Sequence, residues 1–309
     1  MLNRKKDPAV ALRRPVLKRL WGDRASYFFM LPYLSIFVVF TMLPVLVSFL
    51  LSFTYFNVLQ MPRFVGFQNY IKLFTQDEIF LIAIKNTFYL ALVTGPAGYL
   101  LSLTVAWLIN ELNPKLRAFT TLIFYAPSIS GNVFMIWGVM FSGDSHGYLN
   151  GLLLNMGVIK TSIQFTNNPK YIMPLVMGVS LWLSLGAGFL SFIAGLQGID
   201  RQYYEAAAID GIRNRWQELW FVTLPLMKEQ LMFGAVMSIT GAFGIGGVVS
   251  ALVGFPSTGY AAHTIMHHLE DYGGIRFEMG YASAIATFLF AIMMLSNHAV
   301  KKQLSKIGR

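Results

Sequence analysis

The chain has 309 residues, of which 55% are hydrophobic and 12% charged, with no cysteine and a formal net charge of +10. A soluble domain carries about 25% charged residues, so most of this chain never meets water, and disulfides and thiolate metal sites are excluded. The positive charge is not spread over one polar face, as a nucleic-acid binder requires, but sits in short segments between apolar runs.

In chain order, residues 1–27 form a basic tail. Its Val16, Leu17, Leu20 and Trp21 have helical spacing between basic residues, which fits either a short helix on the inner leaflet or a solvated tail that fixes orientation. The tail is not read as a cleaved signal peptide, because it is polar and the apolar run after it is too long. Six uncharged runs follow, at 28–53, 86–110, 118–141, 172–196, 230–253 and 280–300. Each approaches or exceeds the ~20 residues that cross a ~30 Å hydrocarbon core. They are read as helices, since lipid cannot satisfy an open strand edge. The loops 54–85 and 142–171 carry Pro, Gly, Asn and Asp and read as partly structured, and 68–74 and 260–271 read as short surface helices.

Eighteen lysines and arginines fall in the two tails and the second and fourth loops, against six on the other side. The positive-inside rule then puts both termini in the cytoplasm. The expected organisation is a cytoplasmic tail 1–27, a six-span domain 28–300 with a cytoplasmic loop 197–229, and a basic tail 301–309.

The fourth loop contains YYEAAAIDGIRNRWQELWFVTLP, from Tyr203 to Pro225. Good helix formers run from 203 to 210, and Gly211 is placed to end that helix in a left-handed cap. A second short helix is expected over 214–221, with Trp216, Leu219 and Trp220 along one side, and Pro225 suits the first turn of the next helix. Ala206, Ala207 and Ala208 permit close approach to another protein, and Glu205 and Asp210 offer charge-assisted contacts. The pattern is that of a helix received by a groove on a partner.

Glu205, Ala206, Ala207, Gly211, Leu224 and Pro225 resemble the cytoplasmic signature of binding-protein-dependent ABC importer permeases: Glu-Ala-Ala, three residues, Gly, nine residues, Ile-x-Leu-Pro. Two departures exist. Val222 stands for the isoleucine, and ten residues separate it from Gly211. One extra residue rotates a helix by about 100°, so the second short helix is expected to be turned away, and the contact role falls to Tyr204, Glu205, Ala206, Ala207, Asp210 and Gly211. Trp182 with the later LQGID (196–200), Asp210–Gly211, Asn86–Thr87 and the GYASA at 280–284 are similar to the carbohydrate, maltose-type branch. The large outer domain of some maltose permeases has no counterpart.

The resemblance covers nearly the whole core. It implies an all-α, six-span, type I ABC importer permease in the bacterial cytoplasmic (inner) membrane. It also implies a second homologous permease, two cytoplasmic ABC ATPase subunits and an extracytoplasmic sugar-binding protein as partners, with membrane lipid around them and no nucleic acid. The cargo would be a sugar, specifically an oligosaccharide. No G-x-x-x-x-G-K-[ST] loop is present, so ATP and Mg are expected on the ATPase chains, and neither cofactor nor metal on this one. By the same resemblance Ser180, Ser184 and Ala187 in the fourth span lie near the sugar. So do Thr240, Gly241, Phe243 and Gly244 in the fifth, while Trp182 offers an aromatic face. Gly241, Gly244, Gly246 and Gly247 stand where the family often has polar side chains. They either widen a cavity or let helices approach.

The spans contain no acidic residue, which speaks against an ion-coupled carrier. They contain no lysine or arginine, which weakens the alternative of another solute such as glycerol phosphate. A membrane-embedded lipid-modifying enzyme, the other alternative, would cluster polar catalytic residues at one leaflet. His263, His267 and Glu270 or Asp271 have a spacing that could face a metal, but a structural zinc wants four ligands, and the role of His268 beside them is left open. A docking surface for the binding protein is the favoured reading there. Pro127 and Gly131 are candidate bends.

Overall fold

A computed structural model describes residues 24–131, 133–145 and 147–306. The expectation for Val16, Leu17, Leu20 and Trp21 lies outside the described residues. The chain divides into two compact units at Leu50. The first is one apolar rod: α1 (Arg24–Phe37), a π-helical turn (Val38–Met42) and α2 (Leu43–Leu51). Its apolar side chains are exposed along its length. The π turn ends just before Pro44. A proline lacks the N–H that the helix needs, and such local widening is how membrane helices accommodate one.

The second unit opens with an antiparallel hairpin, β1 (Thr54–Tyr55) and β2 (Arg63–Phe64), then α3 (Gln68–Thr75). The long helix α4 (Glu78–Asn110) follows, then α5 (Pro114–Ile129), α6 (Val133–Met140), α7 (Tyr148–Asn155), α8 (Pro169–Leu183) and α9 (Ala187–Gly198). The fourth loop holds α10 (Arg201–Ile209), α11 (Arg215–Glu218), a π turn (Leu219–Thr223) and α12 (Leu224–Leu226). The chain ends with α13 (Lys228–Phe243), α14 (Gly246–Val253), α15 (Ile265–Glu270) and α16 (Met279–Leu304).

Side chains set several starts. Asp77 accepts from the Phe80 N–H ahead of α4. Asn113 and Asn168 cap α5 and α8, each followed by a proline in the first turn, where its missing N–H costs nothing. Among the described residues four helical stretches are long and apolar enough to cross a membrane, or six if each bent pair is one span. The bent pairs are α5 with α6, and α13 with α14, the latter turned by 44°. The α4 helix begins eight residues before the uncharged run that signalled it, because Lys85 interrupts an apolar stretch that already starts at Ile79. The hairpin and α7 were not expected from the sequence.

Within the second unit α4 is the common wall, packing against α8, α9, α13 and α15. The core lies in three clusters along it: Phe80 with Ile265 and Ile285 near its start, Leu90 with Val176 and Val249 in the middle, and Ala106 with Phe189 and Met227 near its end. The α9–α13 contact is close. A Cβ built on Gly188 would meet the Gly234 Cα at 3.4 Å, and one on Gly234 would overlap the Phe192 ring. Lipid supplies no hydrophobic drive between helices, so such close approach of small residues is what holds them. Gly234→Ala should therefore cost about 1–3 kcal/mol by overpacking, seen as a lower thermal midpoint of the purified chain. Phe192→Leu in the same background should recover part of it.

Candidate functional site

The fourth apolar run is interrupted. α8 ends at Leu183 and α9 begins at Ala187, with Gly186 in an extended conformation between them. Two of the carbonyls there are taken: Leu181 C=O accepts from the Ser184 hydroxyl (2.6 Å), and Ser184 C=O from the Ser102 hydroxyl (3.0 Å) and the Gly186 N–H (2.8 Å). The first N–H groups of α9 have no acceptor within the helix, and Gly186 has no side chain to cap them.

This break opens on a cavity of about 270 Å³ between α4, α8, α9 and α13. Ser180, Ser184, Ala187 and Gly241 all line it. So do Thr94, Gly98, Tyr99, Ser102 and Ser238, which the sequence reading missed. A signal was available for three of them: Thr94, Gly98 and Ser102 recur every fourth residue, a small and polar stripe on one helix face. The hydroxyls of Thr94, Ser102, Ser180, Ser184 and Ser238 each donate to a backbone carbonyl. Their protons are committed, so toward the cavity they offer lone pairs, while the start of α9 offers donors. A ligand rich in hydroxyl groups, each both donor and acceptor, matches such a wall.

Trp182 is placed elsewhere. It stands edge-on to Trp137 at 5.2 Å between centroids, and Trp137 stacks on Phe141. Phe243 is buried against Phe88 and lines a separate apolar groove. Thr240, Gly241, Gly244 and Gly247 are exposed, on the side of α13 and α14 away from the chain's own core. A Cβ on Gly241 or Gly247 would meet nothing, whereas one on Gly246 would press on Met266 at 2.8 Å. The glycines thus divide between open wall and packing.

In the fourth loop, Asp200 caps α10 and Gly211 ends it with φ +97°. The Ile212 N–H reaches Ala207 C=O and the Gly211 N–H reaches Ala208 C=O, the paired bonds of a Schellman cap. Tyr204 and Ala207 face inward, and the Tyr204 hydroxyl lies 3.0 Å from that of Thr223. Glu205, Ala206, Asp210 and Gly211 face out, with Ile209 beside them at 87% exposed. Among the described residues Glu205 is paired only with Arg201 on its own helix, at 3.1 Å and largely exposed. The expected rotation of the second short helix is corrected: the π turn Leu219–Thr223 is a wider turn that absorbs an extra residue before Pro225. Arg215 then bridges Glu111 and Glu218 at 2.8 and 2.7 Å, and Trp216 lies 5.1 Å from Trp107. Both contacts tie the loop to the end of α4.

At the opposite end, the histidines are not a docking surface. His263, His267 and His268 are 2%, 1% and 2% exposed. His268 lies between His263 (3.3 Å) and Asp77 (2.9 Å), Tyr281 donates to Asp77 (2.8 Å), and His267 lies between Thr264 and Ser250. The nearby Asn86 donates to the Tyr260 and His263 carbonyls, and Thr87 accepts from the Ile265 N–H. Burial alone would raise Asp77, but hydrogen bonds from His268, the Phe80 N–H and Tyr281 outweigh it and hold the carboxylate well below its ordinary range. Burial pushes His263 and His267 down to about 4, and for His263 the neighbouring His268 and His267 push further.

Apolar, membrane-length helices packed around an interrupted span, with a capped helix held out at one end, define a multi-pass membrane protein. No family model matches the chain. It is 32% identical over 277 residues to the probable ABC transporter permease protein YesP of Bacillus subtilis, covering 88% of this chain and 87% of that one. It is 34% identical over 233 residues to the lactose transport system permease protein LacF of Rhizobium radiobacter, covering 74% and 75%. In structure it matches a chain of a bacterial ABC transporter involved in import of the acidic polysaccharide alginate, with TM-score 0.77 and 24% identity over 95% of this chain and 99% of that one. A second match, TM-score 0.74 at 25% identity over 96% and 100%, is to the alginate transporter in complex with an alginate pentasaccharide-bound periplasmic protein. The chain belongs to the permease subunits of ABC transporters. It is a transport subunit and not an enzyme.

Gly241→Leu should leave folding within about 0.5 kcal/mol, as substitutions into open space do, yet reduce uptake by the assembled transporter by filling the cavity wall. Separately, His263 and His267 stay neutral in the fold down to about pH 4 but titrate near 6.5 when exposed. The unfolded chain therefore binds more protons than the folded one between those values, and stability falls as pH drops through that window. Thermal midpoints of purified protein should decline from about pH 6.5 to about pH 4, and less steeply in His263→Gln/His267→Gln.

Proposed function

We propose that this chain is a permease subunit of an ATP-driven importer of oligosaccharides in the bacterial cytoplasmic (inner) membrane. In this reading each bent pair is one span, so the chain crosses six times, with both termini and the loop 197–229 in the cytoplasm. The charge asymmetry of the loops supports that orientation. The carrying observation is the pairing of an exposed capped helix, α10, with a hydroxyl-lined cavity at an interrupted span. The relatives named for lactose, diacetylchitobiose and arabinooligosaccharide transport support the cargo class. Among the described residues no lysine or arginine lines the cavity, which fits a neutral sugar better than a phosphate ester.

The partners are a second permease, two ATPase subunits that carry ATP and Mg, and an extracytoplasmic sugar-binding protein. The exposed face of Thr240, Gly241, Gly244 and Gly247 completes the path together with the second permease. α10 docks on an ATPase through Glu205, Ala206, Asp210, Gly211 and the apolar tip Ile209. Tyr204 and Ala207 hold that helix on its own chain. Exposed ion pairs contribute little to stability, so Glu205→Lys should fold normally while uptake and sugar-stimulated ATP hydrolysis fall by roughly thirtyfold or more, the loss of an interface anchor. Wild-type uptake in that variant would reject the docking role.

A further inference from the structure

A second groove runs between α4, α13 and α16, on the other side of the α4–α13 contact from the cavity. Its walls are almost wholly apolar, with Phe88 and Phe243 at one end and Leu100, Ala235 and Leu304 at the other. Along α4 it extends from Phe88 to Leu100, about 18 Å of helix at 1.5 Å per residue. One leaflet of the hydrocarbon core is about 15 Å deep. The groove therefore runs from mid-membrane to one surface, and its volume is about 470 Å³. The space suits a slim, flexible chain.

The surface end carries charge. Lys301, Lys302 and Lys306 are exposed around the last turn of α16, flanking Leu304. Among the described residues no carboxylate pairs with any of the three. Lys228, at the start of α13, donates to the Ser305 carbonyl at 2.7 Å and ties the two helix ends together at the mouth. Lysines at the cytoplasmic end of a span also serve orientation. What orientation does not require is an apolar channel one leaflet deep that ends among them.

We propose that this groove binds one acyl chain of an anionic phospholipid of the cytoplasmic leaflet, with the lipid phosphate against Lys301, Lys302 and Lys306. The chain replaces apolar contacts that α4, α13 and α16 do not make with each other, and the lysines select the headgroup, as basic pockets between helices do. The leaflet assignment rests on the orientation proposed above. Binding is read in detergent, where orientation plays no part, so either can fail while the other stands.

The test uses the purified full transporter supplied with phosphatidylglycerol or phosphatidylcholine of matched chains, with retained lipid counted by native mass spectrometry. Wild type should retain phosphatidylglycerol preferentially. Each lysine near an anionic group is worth roughly fivefold, so Lys301→Gln/Lys302→Gln/Lys306→Gln should abolish the headgroup preference. Ala299→Phe, at an exposed position lining the groove, should cut retention of both lipids. Equal retention of the two lipids by wild type would overturn the proposal, as would variants that hold phosphatidylglycerol as wild type does. The chain has no cysteine, so Ala299→Cys gives a single crosslinking site. Efficient crosslinks from it to a helix of either permease would show the groove filled by protein, and would also overturn the proposal.

Discussion

A backbone polar group left unpaired in hydrocarbon costs several kcal/mol, and this chain interrupts an apolar helix in mid-course. At the interruption, 184–186, the Leu181 and Ser184 carbonyls are met on the spot, by the Ser102 hydroxyl from α4 and by groups of the break itself. The first turn of N–H groups in α9 has no acceptor within the helix. Those need a polar space, and the cavity is that space. Break and cavity thus require each other. The second interruption, where α13 gives way to α14, follows the same logic on the exposed side, where Gly241, Gly244 and Gly247 leave the wall open.

The helix α4 connects everything else. At its start, Asp77, Asn86 and Thr87 gather the segment 260–281 by hydrogen bonds from residues far along the chain. Through its middle, Thr94, Gly98 and Ser102 form one cavity wall. At its end, Trp107 and Glu111 hold Trp216 and Arg215 of the fourth loop. A displacement of α10 reaches α4 through the Tyr204–Thr223 hydroxyl contact and the α11 residues that follow. In the proposed function, this is the route by which a motor at the loop would work on the cavity.

Much of this was legible because lipid leaves few choices. Uncharged runs of sufficient length had to be helices, and the six runs coincide with the helices and bent pairs observed. The α10 helix and its Gly211 cap were legible because capping is local chemistry. Ser180, Ser184, Ala187 and Gly241 do share one cavity. The rest depended on contacts that no local pattern carries. The histidines looked like a surface motif, since their spacing is helical and their acidic partner, Asp77, lies 191 residues from His268. Trp182 looked like a sugar platform, but its neighbour Trp137 belongs to another helix. The π turn showed in the sequence only as one residue too many. A π turn has no composition of its own, so the surplus read as a rotation rather than as its remedy.

The two ends of α4 are built from different materials, and the difference bears on which end can move. The end at Asp77 is a buried network in which His263, His268, Tyr272 and Tyr281 converge on one carboxylate. Breaking it would strand buried polar groups, each costing about 1–3 kcal/mol. The other end is held by an ion pair whose members are 62% and 43% exposed, Arg215 and Glu111, and exposed pairs are worth about 0–1 kcal/mol. The Trp107–Trp216 contact adds shape with little polar cost, because Trp216 remains 70% exposed. Rearranging the end at Glu111 therefore costs far less than disturbing the end at Asp77. In the proposed function, a loop that a motor must push is better mounted on such a yielding seat, with the rigid anchorage at the far end of the lever.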